Sequence, residues 1–254
     1  MSRHARTVFP VMGTMVTIAV AESDWMRLGD EIVCNAINDV RAELHRIDDV
    51  FSHYRLDSAI TMWARGADIA AAEQCEIELV LAECARLSSI SGGSFAIIDP
   101  RTGSLDTAGY VKGYAIDNAV AIMRDAGLAN FAISVGGDGY YAGRPVRDRP
   151  WRVAVHDPRK PAAIFAIVEA EDLAVATSGR AERGDHIWTG HHQSDLLSFT
   201  VVGPSIAEAD AYATTGFAMA EAGAGWVAQQ EGYRSIVARA DGSVMSDAAL
   251  VSAA

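Results

Sequence analysis

Asp210 and Thr214 stand four residues apart in Glu208-Ala-Asp-Ala-Tyr-Ala-Thr-Thr215. On a helix that spacing puts a carboxylate and a hydroxyl one turn apart on one face. Two hard oxygens so placed suit Mg2+, which keeps water and phosphate oxygens for its other positions. The small alanines between them let another backbone come close. A structural alternative is open: Asp210 answers the helix dipole, and Thr214 bonds back to a carbonyl of the preceding turn. Gly109-Tyr-Val-Lys-Gly-Tyr114 leads into a second helix. Free N–H groups at a helix start, with an ammonium beside them, can cradle an anion. The spacing is not that of a Walker A loop, and a tight turn with a solvated Lys112 fits the same residues. Ser134-Val-Gly-Gly-Asp-Gly139 lets a backbone approach a ligand, or is an Asp-Gly hairpin turn. Ala176-Thr-Ser-Gly179 can present N–H and hydroxyl donors to an anion. His186, seven residues on, is either an acid or base or a solvated loop residue. His191-His192 reads as a solvated pair.

The elements that must hold these groups follow from periodicity. Residues 11–20 alternate as a strand on Val16, Ile18 and Val20. Trp25, Leu28, Ile32, Ala36, Val40, Leu44 and Ile47 share one face of a long helix, with Asp24 as its N-cap. A helix over 72–89 turns Ile77, Val80, Leu81, Cys84 and Leu87 inward and stops at Ser91-Gly-Gly-Ser94. The helix after Lys112 runs to Ala126 and stops at Gly127. Strands are expected at 131–135, 151–156, 164–170, 173–177, 198–202 and 233–239, and an Ala-rich helix at 206–221 carries Asp210 and Thr214. Long helices separated by runs of neighbouring strands indicate an α+β fold. With no repeat and no low-complexity linker, residues 1–254 read as a single domain, its last eight or so residues frayed.

Composition narrows the function classes. Of 254 residues half are apolar and 21% charged, which excludes a disordered chain. The net charge of −12 argues against wrapping nucleic acid or docking on anionic lipid. Cys34, Cys75 and Cys84 have no zinc-like spacing and read as buried small hydrophobes in a reducing compartment. No apolar run approaches the ~18 residues that would span a membrane. No h-region follows the basic N-terminus, so a cytoplasmic location is expected.

The ordered set of segments resembles the FAD:protein FMN transferase (ApbE) family. It runs from Met12-Gly-Thr14 through Phe51-Ser-His-Tyr54, Gly92-Gly-Ser-Phe95, Leu105-Asp106 to Asp117 and Gly136-Gly-Asp138. Trp151 to Pro158, Thr177-Ser-Gly179, His186-Ile187 and Ala209 to Thr214 complete it. The resemblance implies one flavin transferase domain that takes FAD and Mg2+. It would move FMN onto a Thr or Ser hydroxyl of an acceptor flavoprotein and release AMP. Carried over, Asp210 and Thr214 would hold the metal by side chain and Gly109 by its carbonyl. Met12, Tyr54, Ser94, Phe95, Ala96, Asp106, Lys112 and His186 would line the FAD site, with His186, Asp210 and Lys112 as catalytic groups. Ala96 stands where the family usually has Asp, and the segments after Phe95 and after His186 are short. Those departures keep two alternatives open: an FAD pyrophosphatase, and a flavin-binding protein without turnover. The family's lipoprotein signal is also missing, so the resemblance implies a shortened member with a cytoplasmic acceptor.

Overall fold

The computed structural model describes residues 5–99, 103–179, 195–246 and 251–252. The chain opens with a hairpin, β1 (Ala5–Val11) and β2 (Thr14–Val20), then α1 (Glu22–Leu28), α2 (Asp30–Phe51), α3 (Ala59–Ala64), α4 (Ala71–Ile90) and α5 (Ala108–Asp125). A second hairpin, β3 (Phe131–Val135) and β4 (Asp138–Ala142), precedes β5 (Trp151–Asp157), β6 (Lys160–Ala170), β7 (Leu173–Gly179) and β8 (Leu196–Gly203). The rest is α6 (Ile206–Ala218), α7 (Gly223–Val227), β9 (Arg234–Arg239), β10 (Val244–Ser246) and β11 (Val251–Ser252).

Eight strands form one antiparallel sheet in the order β1-β2-β3-β4-β7-β8-β9-β10, and β11-β6-β5 form a smaller one. The large sheet is buried on both faces over its central strands. Ala174, Ala176, Val201 and Val237 face the helical core, while Val175, Val202 and Ile236 meet Val153, Val155, Ala166 and Val168 of the small sheet. Successive side chains of a strand point to opposite faces, so runs such as Leu173-Ala-Val-Ala are apolar throughout rather than alternating. The architecture is the mixed helix-and-sheet fold that the sequence implied.

Several elements differ from the sequence reading. The strand at 11–20 is a hairpin. Val11 pairs with Thr14, and Met12 and Gly13 turn at φ +54° and +69°. Positive φ at both positions suits the right-handed twist of the strands. The long helix is two, because Gly29 at φ +84° ends α1 and α2 starts in a new phase. Val33 is therefore buried and Ile32 exposed. Asp24 is not a cap but is buried within α1, accepting the N–H groups of Ala129 and Asn130 at 2.7 Å each. Cys34 and Cys75 are exposed on the outer faces of α2 and α4, so only Cys84 is the core hydrophobe expected. In the C-terminal tail, residues 251–252 pair with β6 rather than fray.

The contact that positions the site is between α5 and α6, the latter lying on β7 and β8. A Cβ at Gly113 would fall 2.5 Å from the Ile206 carbonyl oxygen and 2.6 Å from Ala207 Cα. Only glycine allows the two helices this approach. One turn on, Asp117 fastens α5 to the start of α6. It accepts Ser205 Oγ–H at 2.9 Å, Ala207 N–H at 3.1 Å and Ile206 N–H at 3.4 Å. Burial pushes the Asp117 carboxyl above its usual range, and these donors pull it back.

Gly113→Ala is expected to cost about 1–3 kcal/mol by overpacking. Calorimetry will register this as a fall in Tm of roughly 2–4 °C per kcal/mol; an unchanged Tm would contradict the close approach. Burial also pushes the Cys84 thiol up to about 12. At mildly alkaline pH iodoacetamide is therefore expected to label Cys34 and Cys75 in the native protein, and Cys84 only in denaturant, as peptide mass spectrometry will report.

Candidate active site

The close packing of α5 and α6 brings Gly109 against Thr214. A Cβ on Gly109 would lie 3.3 Å from Thr214 Cγ2 and 3.4 Å from both Thr214 Oγ1 and Phe95 Cε2. Thr214 Oγ1 is 3.2 Å from Ser178 Oγ at the end of β7. The back-bond to a carbonyl belongs to the next residue, whose Oγ1 donates to the Ala211 carbonyl at 2.7 Å. Asp210 is 2% exposed, and its Oδ2 accepts the Gly113 N–H at 3.1 Å. That N–H is the one that helical geometry aims at the Gly109 carbonyl.

Lys112 is 9% exposed, which excludes a solvated lysine. Its ammonium pairs with Asp138 Oδ2 and lies 3.8 Å from Asp210 Oδ1. Asp138 is wholly buried at the start of β4. The turn before it is Gly136-Gly137, at φ +60° and +100°, so Asp-Gly belongs to the strand and not to the turn. Asp138 Oδ1 also accepts the Thr177 N–H at 2.7 Å, and Thr177 Oγ1 is 2.9 Å from Thr200 Oγ1. Two buried carboxylates thus face one buried ammonium.

At the start of α5, Asp106 Oδ1 accepts the Ala108 N–H at 2.9 Å and lies 3.5 Å from His53 Nε2. His53 Nε2 accepts the Thr107 N–H at 3.0 Å, which leaves the ring proton of the neutral imidazole on Nδ1. A cavity of about 720 Å³ opens here, lined by Met12, His53, Tyr54, Arg55, Lys112 and Gly136 among others. That volume suits a small-molecule ligand of nucleotide size (roughly 300–1,000 Å³). Tyr54, 91% exposed, stands at its mouth.

Of the residues singled out in the sequence, Met12, Tyr54 and Lys112 line this cavity. Asp106 stands beside its lining residue His53. Phe95, Gly109, Asp210 and Thr214 meet around the first turns of α5. Ser94 is half-buried and Ala96 exposed, and neither is among the residues lining the cavity. His186 lies outside the described residues, as do His191 and His192. Asp138, His53 and Ser178 have roles that sequence reasoning missed. An Asp opening a strand is a signal in itself, because Asp is depleted there. Among the described residues no three His, Cys, Asp or Glu side chains converge on one point.

The ApbE family model matches residues 98–237, more than half of the chain and a span that includes α5, β3, β4 and α6. The chain is 33% identical over 123 residues to the FAD:protein FMN transferase of Salmonella typhimurium, covering 43% of this chain and 35% of that protein. To the FAD:protein FMN transferase of Klebsiella pneumoniae it is 27% identical over 175 residues, covering 61% and 50%. The matches thus span about a third to a half of these relatives' length. Two solved structures share the fold over nearly the whole chain. The flavin transferase ApbE of Vibrio cholerae superimposes with a TM-score of 0.78 at 20% identity, covering 98% of each chain. The ApbE protein of Thermotoga maritima gives 0.79 at 20% identity, covering 97% and 98%. The chain belongs to the ApbE family.

Proposed function

We propose that the protein is an FAD:protein FMN transferase, with residues 1–254 forming one flavin transferase domain. The observation that carries this reading is the meeting of Gly109, Thr214, Asp210 and Lys112 beside a cavity of about 720 Å³. The names of the relatives, FAD:protein FMN transferase, support it.

The donors fit a hard divalent cation such as Mg2+. They are one buried carboxylate (Asp210), one hydroxyl (Thr214) and the Gly109 carbonyl, all oxygens. Bound Mg2+ would supply charge neutralisation and orientation of a diphosphate. Everything else falls to the chain's own groups. Met12, Tyr54, Phe95 and Asp106 would seat FAD, together with Ser94 and Ala96 on the segment after α4. Lys112, on the first turns of α5, would set an ammonium beside the diphosphate, where the helix dipole also favours negative charge. The acceptor's Thr or Ser oxygen would attack the phosphorus of the FMN half. The bond from that phosphorus to the bridging oxygen would break, and AMP would leave with the electron pair. The hydroxyl proton would pass to His186. Such chemistry is mostly positioning and electrostatics, so few side chains suffice. Among the described residues no helix is long and apolar enough to cross a membrane; that the enzyme and its acceptor flavoprotein are cytoplasmic is part of the proposal.

The test is to incubate the protein with FAD, Mg2+ and an acceptor carrying a Thr flavinylation motif. AMP is followed by chromatography and acceptor mass by mass spectrometry. The expected result is an acceptor mass gain equal to FMN, lost with EDTA and reduced at least about 100-fold in Asp210→Ala, the scale of removing one electrostatic stabiliser. AMP and free FMN without acceptor labelling would make the protein an FAD pyrophosphatase. No AMP with any acceptor or metal would make it a flavin-binding protein.

A further inference from the structure

We infer that Ser178 is a positioning residue: its Oγ accepts the hydrogen bond of the Thr214 hydroxyl and so turns a Thr214 lone pair toward the divalent cation. This role rests on the metal site proposed above and goes beyond it, because Ser178 acts on the cation through Thr214 alone.

A threonine hydroxyl has one proton and two lone pairs. As a metal ligand it gives a lone pair to the cation, and its proton then needs an acceptor in another direction. Inside a helix the usual acceptor is a carbonyl of the preceding turn. Thr215 follows that rule, its Oγ1 donating to the Ala211 carbonyl at 2.7 Å. Thr214, the residue before it, reaches across to the sheet, where its Oγ1 lies 3.2 Å from Ser178 Oγ.

The sheet side of this contact is fixed by packing. Ser178 is 7% exposed and stands in β7, an interior strand between β4 and β8. Ala174 and Ala176 face the helical core, and the two-residue period of a strand puts Ser178 on the same face. The residue before it is tied down, because the Thr177 N–H donates to Asp138 Oδ1 at 2.7 Å. Across the ladder Ser178 pairs with Phe199 of β8, and there α6 presses on the sheet. A Cβ at Gly216 would fall 2.4 Å from Phe199 Cε1. The spacing between α6 and the sheet is thus set two residues beyond Thr214, against the strand partner of Ser178. The two hydroxyls meet because helix and sheet are held at this distance. A cation on the Thr214 oxygen makes its O–H a stronger donor, so the bond to Ser178 and the bond to the metal support each other. Without the Ser178 hydroxyl, the Thr214 proton either stays buried without an acceptor, which is costly, or turns to the preceding turn and takes the lone pair with it.

The experiment measures Mn2+ binding to the nucleotide-free protein, reading free Mn2+ by electron paramagnetic resonance. It compares wild type, Asp210→Ala, Ser178→Ala, Thr214→Val and the double variant Ser178→Ala/Thr214→Val, with circular dichroism to confirm folding. Asp210→Ala should abolish binding. Ser178→Ala should weaken it about 10-fold, the lower end of what losing a group that orients a metal ligand costs. Thr214→Val should weaken it at least as much. The double variant should bind within about 2-fold of Thr214→Val, because Ser178 has nothing left to orient; such non-additivity is the mark of coupled residues, and a merely structural role for Ser178 would not produce it. Should Ser178→Ala not fold, Ser178→Cys, whose thiol is a weak acceptor, carries the same expectations. Unchanged binding in Ser178→Ala, or losses that multiply in the double variant, would overturn the inference while leaving the metal site standing. Unchanged binding in Thr214→Val would remove Thr214 from the ligands and overturn the inference with it. Mn2+ that ignores wild type, or binds wild type and Asp210→Ala alike, would overturn the metal site as a whole.

Discussion

Two helices touch backbone to backbone at Gly113, and the rest of the site depends on that approach. Helix α5 brings Gly109 and Lys112; helix α6 brings Asp210 and Thr214. The helices can close to this distance because Gly113 presents no Cβ to Ile206 and Ala207. Asp117 then locks the register by supplying the start of α6 with the acceptor that its free N–H groups need. A shift of α6 by one residue would turn Asp210 and Thr214 about 100° away from α5, given 3.6 residues per turn. Packing and chemistry are therefore decided at one contact.

The sheet contributes the second constraint, which is electrostatic. Strand β4 delivers Asp138, and β7 delivers the Thr177 N–H that holds it and the Ser178 hydroxyl beside Thr214. The large sheet can bury these polar groups because the small sheet and the helices cover its two faces. Each buried carboxylate has found a donor or a cation, as burial requires.

Much of this was legible in the sequence, and what was not has physical causes. Helices α4 and α5 announced themselves through unbroken 3.6-residue periodicity, and β3 was legible to the residue. The first hairpin was hidden because Met12 takes a positive φ, which favours glycine, so no turn pair marked it. The break at Gly29 was masked by apolar residues that continue on both sides of it. Strand β4 was missed because Asp138-Gly139 reads as a turn. Within the site, Asp210 and Thr214 declared themselves because they lie on one helix face, and local spacing carries that information. The Lys112–Asp138 pair joins residues 26 positions apart through tertiary structure, and no local pattern could have joined them. The resemblance to flavin transferases supplied the rest of the candidate site, including Gly109, whose place against Thr214 is a matter of packing rather than of motif.

In the proposed enzyme α5 and α6 together form one cation and diphosphate site. Crystals of the protein grown with FAD and Mn2+, and measured at the manganese absorption edge, test it most directly. The expected result is an anomalous peak bounded by the Asp210 carboxylate, Thr214 Oγ1 and the Gly109 carbonyl, with the FAD diphosphate on its open side and Lys112 still paired with Asp138. A metal bound elsewhere, or FAD seated in the cavity with Lys112 paired to Asp210 and no metal between the helices, would contradict it.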